Sequence, residues 1–171
     1  LQIAHYPLAL LWAQRAPGNP YYRNSRLLEW ILGSVRWTLK RQHRNGAFES
    51  VAPFARDHGV TLAMVYGLTE TAGTLGPALP PELRDTIADA VHRACGFALR
   101  SDEDYAFITN HQALFALAYW NAAEFTGEAR YRHQAARVVD RILERQSADG
   151  WYQEYGGPDP GYESLAISYL A

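Results

Sequence analysis

The chain has 171 residues, 48% of them hydrophobic and 20% charged, the balance of a folded domain rather than a disordered one. A formal charge of −2 and a pI of 6.3 give no reason to expect nucleic acid, since the basic residues are spread along the chain rather than clustered. One cysteine, Cys95, excludes an internal disulfide framework and a cysteine-rich zinc site. No stretch approaches the roughly 20 apolar residues of a membrane span.

In chain order, residues 3–13 read as the tail of an apolar helix, weakened by Pro7. Residues 26–42 form an amphipathic helix: Leu27, Ile31, Val35 and Leu39 recur every fourth position, with Glu29, Arg36 and Lys40 on another face. Asn24 or Ser25 can cap it. Residues 60–71 are apolar almost all round. Residues 82–100 are amphipathic again, with Leu83, Ile87, Val91 and Ala94 as the stripe and Pro81 suited to the first turn. Cys95 lies in this helical pattern and reads as a buried structural thiol.

Residues 108–125 are a second Ala-rich helix apolar on all sides. Residues 128–146 are amphipathic through Tyr131, Ala135, Val138, Val139 and Ile142, and 162–171 begin a third wholly apolar run. Helices apolar on every side must be covered on every side. The alternation therefore predicts an all-α fold of two concentric layers, about seven helices forming an incomplete arc of an α/α toroid as a single domain over 1–171, with no β-rich alternation. The chain opens at Leu1 without an initiator Met and closes inside an apolar run, so it reads as truncated at both ends, with further helices of the same protein completing the ring.

A repeat supports this. Leu39-Lys-Arg-Gln-His-Arg-Asn-Gly46-Ala-Phe48 recurs as Leu143-Glu-Arg-Gln-Ser-Ala-Asp-Gly150-Trp-Tyr152, and Thr61-Leu62-Ala63 then matches Ser164-Leu165-Ala166, with Tyr66 against Tyr169. Copies roughly 100 residues apart, with one helix pair between them, imply a unit of about 50 residues, in the range of helical-hairpin arrays. The connections 43–57 and 147–161 are long and carry Gly and aromatic residues, and they share one end of the stack with the N-termini of the inner helices. Such loops carry function, and free helix N–H groups favour anions.

Four groups collect there: Asp57-His58, Asn110-His111, Glu154-Tyr155 with Asp159-Pro-Gly-Tyr162, and Glu49 in the first loop. Trp151 sits beside them. Convergence of carboxylates, histidines and tyrosines is the expected form of a proton-transfer site. Each residue also has a plainer role. Asn110 or Thr109 can cap a helix, His111 can be a hydrogen-bonded core histidine, and Asp57 and Asp159 can be helix-entry residues. Trp151 and Tyr152 can plug the loop, as Phe48 would in the other copy. His5, His92 and His133 stand apart, the last two on solvated outer faces. No H-x-x-x-H or C-x-x-C spacing occurs, so neither a metal nor any other cofactor is expected.

The stretch Thr109-Asn110-His111-Gln112-Ala-Leu-Phe115 resembles the Asn-His-x-x-x-aromatic segment of α/α-toroid polysaccharide lyases, the alginate-lyase-like and heparinase II/III-like families. Thr126-Gly127-Glu128-x-x-Tyr131 and Gln146-x-x-x-Gly150-Trp151 resemble connections found across toroidal carbohydrate-active proteins. The resemblance implies β-elimination from a uronic acid in an acidic polysaccharide. Asn110 would neutralise the C6 carboxylate, His111 or His58 would take the C5 proton, and Tyr162 or Tyr155 would protonate the leaving oxygen. Asp57, Glu154, Trp151, Asp159 and Glu49 would contact the sugar. Thr109 stands where those families carry a second Asn, and none of their tyrosine motifs is matched.

Three other readings remain. Glycoside hydrolysis would pair carboxylates from Glu49, Asp57, Glu154 and Asp159. A toroid that only binds glycan or a partner needs no catalysis. A terpene-cyclase-like reading draws on Gln42 to Phe48 but lacks the aspartate cluster, Asp102-Glu103-Asp104 being nearest.

Overall fold

The computed structural model describes residues 3–50, 55–103 and 106–171. Among them are seven α-helices: α1 (His5–Ala13), α2 (Ser25–Lys40), α3 (His58–Leu75), α4 (Pro81–Ala98), α5 (Thr109–Thr126), α6 (Ala129–Leu143) and α7 (Pro160–Leu170). A 3-10 turn, Gly76–Ala78, links α3 to α4. Loop 43–57 adds what the sequence pattern does not show, a two-residue ladder of β1 (Phe48–Glu49) and β2 (Arg56–Asp57), antiparallel with Phe48 opposite Asp57. It is too short to carry a side-chain alternation. No helix among the described residues is long and apolar enough to cross a membrane.

The helices pack in two rows. Neighbours along the first row are α1, α3, α5 and α7; α2, α4 and α6 lie against α1, α3 and α5 respectively. The amphipathic stripes face inward as the periodicity requires. Leu27, Ile31 and Val35, then Leu83, Ile87 and Val91, then Tyr131, Ala135, Val138 and Ile142 are buried. Asn24 caps α2, its Oδ1 accepting from Leu27 N at 2.9 Å, and Pro81 occupies the first turn of α4. Cys95 is fully buried, and burial pushes its thiol up to about 12, so it stays protonated.

Two expectations are corrected. His92 is not a surface residue: it is half-buried, and its Nδ1 lies 3.0 Å from the Tyr131 hydroxyl, joining α4 to α6. Coverage also differs along the first row. α3 and α5 bury most of their apolar residues, Trp120 of α5 excepted, whereas α7 buries only Ala166 and leaves Leu165, Ile167 and Leu170 exposed, because among the described helices it packs chiefly against α5.

The repeated segments fold into the same turn. Gln42 Nε2 donates to Gly46 O and Gln146 Nε2 to Gly150 O, both at 2.9 Å. His43 N bonds Ala47 O and Ser147 N bonds Trp151 O, and both glycines take positive φ, 97° and 92°. The next aromatic residue then donates its N–H to the first turn of the following helix, Phe48 to Thr61 Oγ1 and Tyr152 to Glu163 Oε1, each at 2.9 Å.

His5 anchors α1 to α3. The Thr71 hydroxyl donates to Gly67 O, so His5 Nδ1–H donates to Thr71 Oγ1 at 3.0 Å. Nε2 is buried with no partner among the described residues, and burial lowers the His5 pKa from 6.5 to about 4. A folded pKa below the unfolded one gives stability that is complete above pH 6.5 and is lost as pH falls toward 4. The shift corresponds to a loss on the order of 3 kcal/mol. Urea unfolding at pH 7 and pH 4.5 should show this loss, and His5→Asn, which keeps the Nδ1-like donor, should abolish His5's share of it. An unchanged pH dependence in that variant would remove the assignment.

Candidate active site

The N-terminal ends of α3 and α5 lie side by side and bound a cleft of about 270 Å³ lined by Asp57, Gly59, Ala63, Glu103, His111 and Phe115 among others. Its chemistry centres on His111, in the first turn of α5. His111 Nδ1 lies 2.8 Å from Glu103 Oε1, and its Nε2 lies 3.1 Å from the Tyr155 hydroxyl. The Glu103 side chain is 3% exposed, whereas Tyr155 is 57% exposed. A buried carboxylate thus orients an imidazole whose other nitrogen meets a phenol open to solvent. With the imidazole neutral, the carboxylate holds the proton on Nδ1 and leaves Nε2 to accept from Tyr155 O–H. Burial, with help from Tyr162 and nearby carboxylates, raises the Tyr155 pKa, so the phenol keeps its proton. The Tyr162 ring lies 5.0 Å from that of Tyr155, and Tyr162 is also exposed.

Tyr155 reaches this position because the segment before it is fastened to α5. Thr109 N and Oγ1 both donate to Gln153 O, at 3.2 and 2.8 Å. Asn110 donates from its backbone N–H to Glu154 Oε1 at 3.0 Å and from its amide to Oε2 at 2.6 Å. Glu154 therefore caps α5 from 44 residues away, and neither Asn110 nor Thr109 is the cap. Asn110 is 4% exposed and Glu154 1%. The Asn110 amide is thus spent on a carboxylate of its own chain. Burial raises the Glu154 pKa against the lowering effect of the two Asn110 bonds.

The same holds at the other helix ends. Asp57 Oδ1 accepts from Val60 N at 2.7 Å, and Asp159 Oδ1 accepts from Gly161 N and Tyr162 N at 2.9 and 3.1 Å. The N-termini of α3, α5 and α7, expected to attract a bound anion, already carry the protein's own carboxylates. No Lys or Arg lines the cleft among the described residues.

His58 does not line the cleft. Its ring stands against Phe115 at 5.0 Å, and its Nδ1 lies 3.0 Å from Ser101 Oγ, whose proton goes to Phe97 O. Burial outweighs neighbouring carboxylates and lowers its pKa. Glu49 sits in β1 and pairs with His43 at 3.1 Å, and Trp151 is half-buried in the Ser147 turn; neither lines the cleft. The structure thus brings together His111, Tyr155, Tyr162 and Asp57, with Asn110, Glu154 and Asp159 serving as helix-end contacts. Glu103 is the residue that sequence reasoning missed. It was visible only as part of an acidic run in a loop, eight residues before His111, where no periodicity marks it. No group of three or more His, Cys, Asp and Glu able to hold a metal occurs among the described residues.

A scan against family models gave no match, and searches among curated proteins and among solved structures gave none.

The Glu154 arrangement makes a stability prediction. Glu154→Ala leaves the buried Asn110 N–H and amide without acceptors, a cost of about 3 kcal/mol for two unsatisfied groups. Glu154→Gln retains one of the two acceptor oxygens and sheds the desolvated charge, so it should cost about half as much. Equal losses in denaturant unfolding would show that the paired bonds are not what Glu154 contributes.

Proposed function

We propose that the chain is an arc of an α/α toroid that acts on an acidic, uronate-containing polysaccharide by β-elimination, with Tyr155 and His111 moving the protons. The observation that carries the reading is the Glu103–His111–Tyr155 chain of hydrogen bonds ending on an exposed phenol beside a cleft. The toroid is supported by the two rows of helices and by their curvature: the Tyr66 ring of α3 lies 6.1 Å from the Tyr169 ring of α7, so side chains meet across the intervening α5. Further helices of the same protein would complete the ring.

In this mechanism His111 Nε2 removes the C5 proton of the uronate, and the imidazolium is stabilised by Glu103. The electron pair forms the C4–C5 double bond and expels the C4 glycosidic oxygen, which takes the proton of the Tyr155 hydroxyl. The imidazolium then returns a proton from Nε2 to the Tyr155 phenolate, so Tyr155 ends protonated and His111 neutral and the cycle closes. Since Asn110 is engaged by Glu154, the sugar carboxylate would be met by the imidazolium and by the Tyr162 hydroxyl.

One observation favours a second reading. Asp57 and Glu103 both line the cleft and, among the described residues, no Lys or Arg does, which suits a neutral sugar and hydrolysis by paired carboxylates. The test is incubation with uronate polymers while following ultraviolet absorbance. A new absorbance from the unsaturated product supports elimination. New reducing ends without it indicate hydrolysis, and binding without turnover leaves a glycan-binding surface.

A further inference from the structure

The Gln-x-x-x-Gly turn occurs twice, and its two copies have different surroundings. In the first, Gln42 Nε2 also donates to Ala90 O of α4 at 2.8 Å, and its Oε1 accepts from Arg93 Nη2 and Nε at 2.6 and 3.1 Å. Gly46 sits so close to α4 that an added Cβ would lie 2.1 Å from Arg93 O. The turn is therefore a socket for the next outer helix. In the second copy Gln146 reaches only Gly150 O among the described residues, and a Cβ on Gly150 would meet nothing nearer than 4.0 Å.

The helix that follows each turn shows the same contrast. Leu62 of α3 is 0% exposed, whereas Leu165, its counterpart in α7, is 38% exposed. The socket and the apolar face beside it are thus built in both copies and filled in one.

We infer that the Gln146–Gly150 turn and the outer face of α7 form a docking surface for an amphipathic helix of α4's pattern, belonging to another repeat of this fold. The filled copy specifies the occupant's chemistry. It carries an apolar stripe at the spacing of Leu83, Ile87, Val91 and Ala94, a main-chain carbonyl that accepts from Gln146 Nε2, and an arginine three residues later that donates to Gln146 Oε1. Its backbone passes flush over Gly150, where any side chain would obstruct it.

The probe is a labelled peptide of residues 74–100 with Cys95→Ser, titrated against the whole chain. Saturable binding with a Kd on the order of 10–100 μM is expected. Arg93→Ala in the peptide should weaken it about tenfold, as should Leu165→Asp in the protein, an exposed position whose change leaves the fold intact. No saturation at about 1 mM peptide, or binding indifferent to both changes, overturns the proposal. So does sedimentation showing a dimer that Leu165→Asp dissolves, since the face would then be covered by a second copy of α7.

Discussion

Gly46→Ala is expected to cost more than about 4 kcal/mol, while Gly150→Ala at the matching position costs about 1–2 kcal/mol. Both glycines hold φ near 90°, which L side chains rarely adopt, so both pay the backbone strain. Only Gly46 also faces a neighbouring main chain: its Cβ would lie 2.1 Å from Arg93 O and 2.6 Å from Arg93 C, atoms fixed inside α4 that cannot rotate away. The turn would have to retreat, breaking the Gln42 bonds to Ala90 and Arg93 and pulling Phe48 from Thr61. Denaturant midpoints for the two variants, at unchanged slope, measure the difference directly. Equal losses would mean that the turn gives way freely and that α4 is not held by it.

The sequence pattern located every helix among the described residues but not every boundary or contact, and the reason differs from place to place. The stripes of α2, α4 and α6 are legible because one side of each meets water. α3 runs four residues beyond the expected 71, since Ala72-Gly73-Thr74-Leu75 looks like a weak end until Gly76 turns the chain with φ 52°. The alternation of half-wet and wholly apolar helices was legible as two rows, but the exposure of α7 was not, because apolarity states what should be covered and not what is present. At the site, His111 and Tyr155 stood out by type and by place in the chain. Their link to each other was hidden because the Asn110–Glu154 bonds that fasten the two segments span 44 residues. Glu103 was hidden more deeply. A loop carboxylate has no partner pattern until folding brings α5 alongside it.

That hidden carboxylate leads to the largest functional effect expected. Glu103→Gln should lower kcat about 10³-fold with KM little changed in the proposed turnover of a uronate polymer. Glu103 holds His111 through Nδ1, so it acts as a positioning residue. A glutamine no longer fixes the tautomer, since its NH2 can donate to Nδ1 as readily as its oxygen can accept from Nδ1–H. Nε2 then ceases to be a dedicated acceptor for the Tyr155 hydroxyl, and the imidazolium loses its counter-charge. Tyr155→Phe, which removes the terminal hydroxyl and leaves the ring against Tyr162, should fall by a similar factor. The double variant should be no worse than either single one, because residues of one relay do not add. Additive losses, or an unchanged kcat in Glu103→Gln, would show that the three groups do not act as a unit and would detach the chemistry from His111.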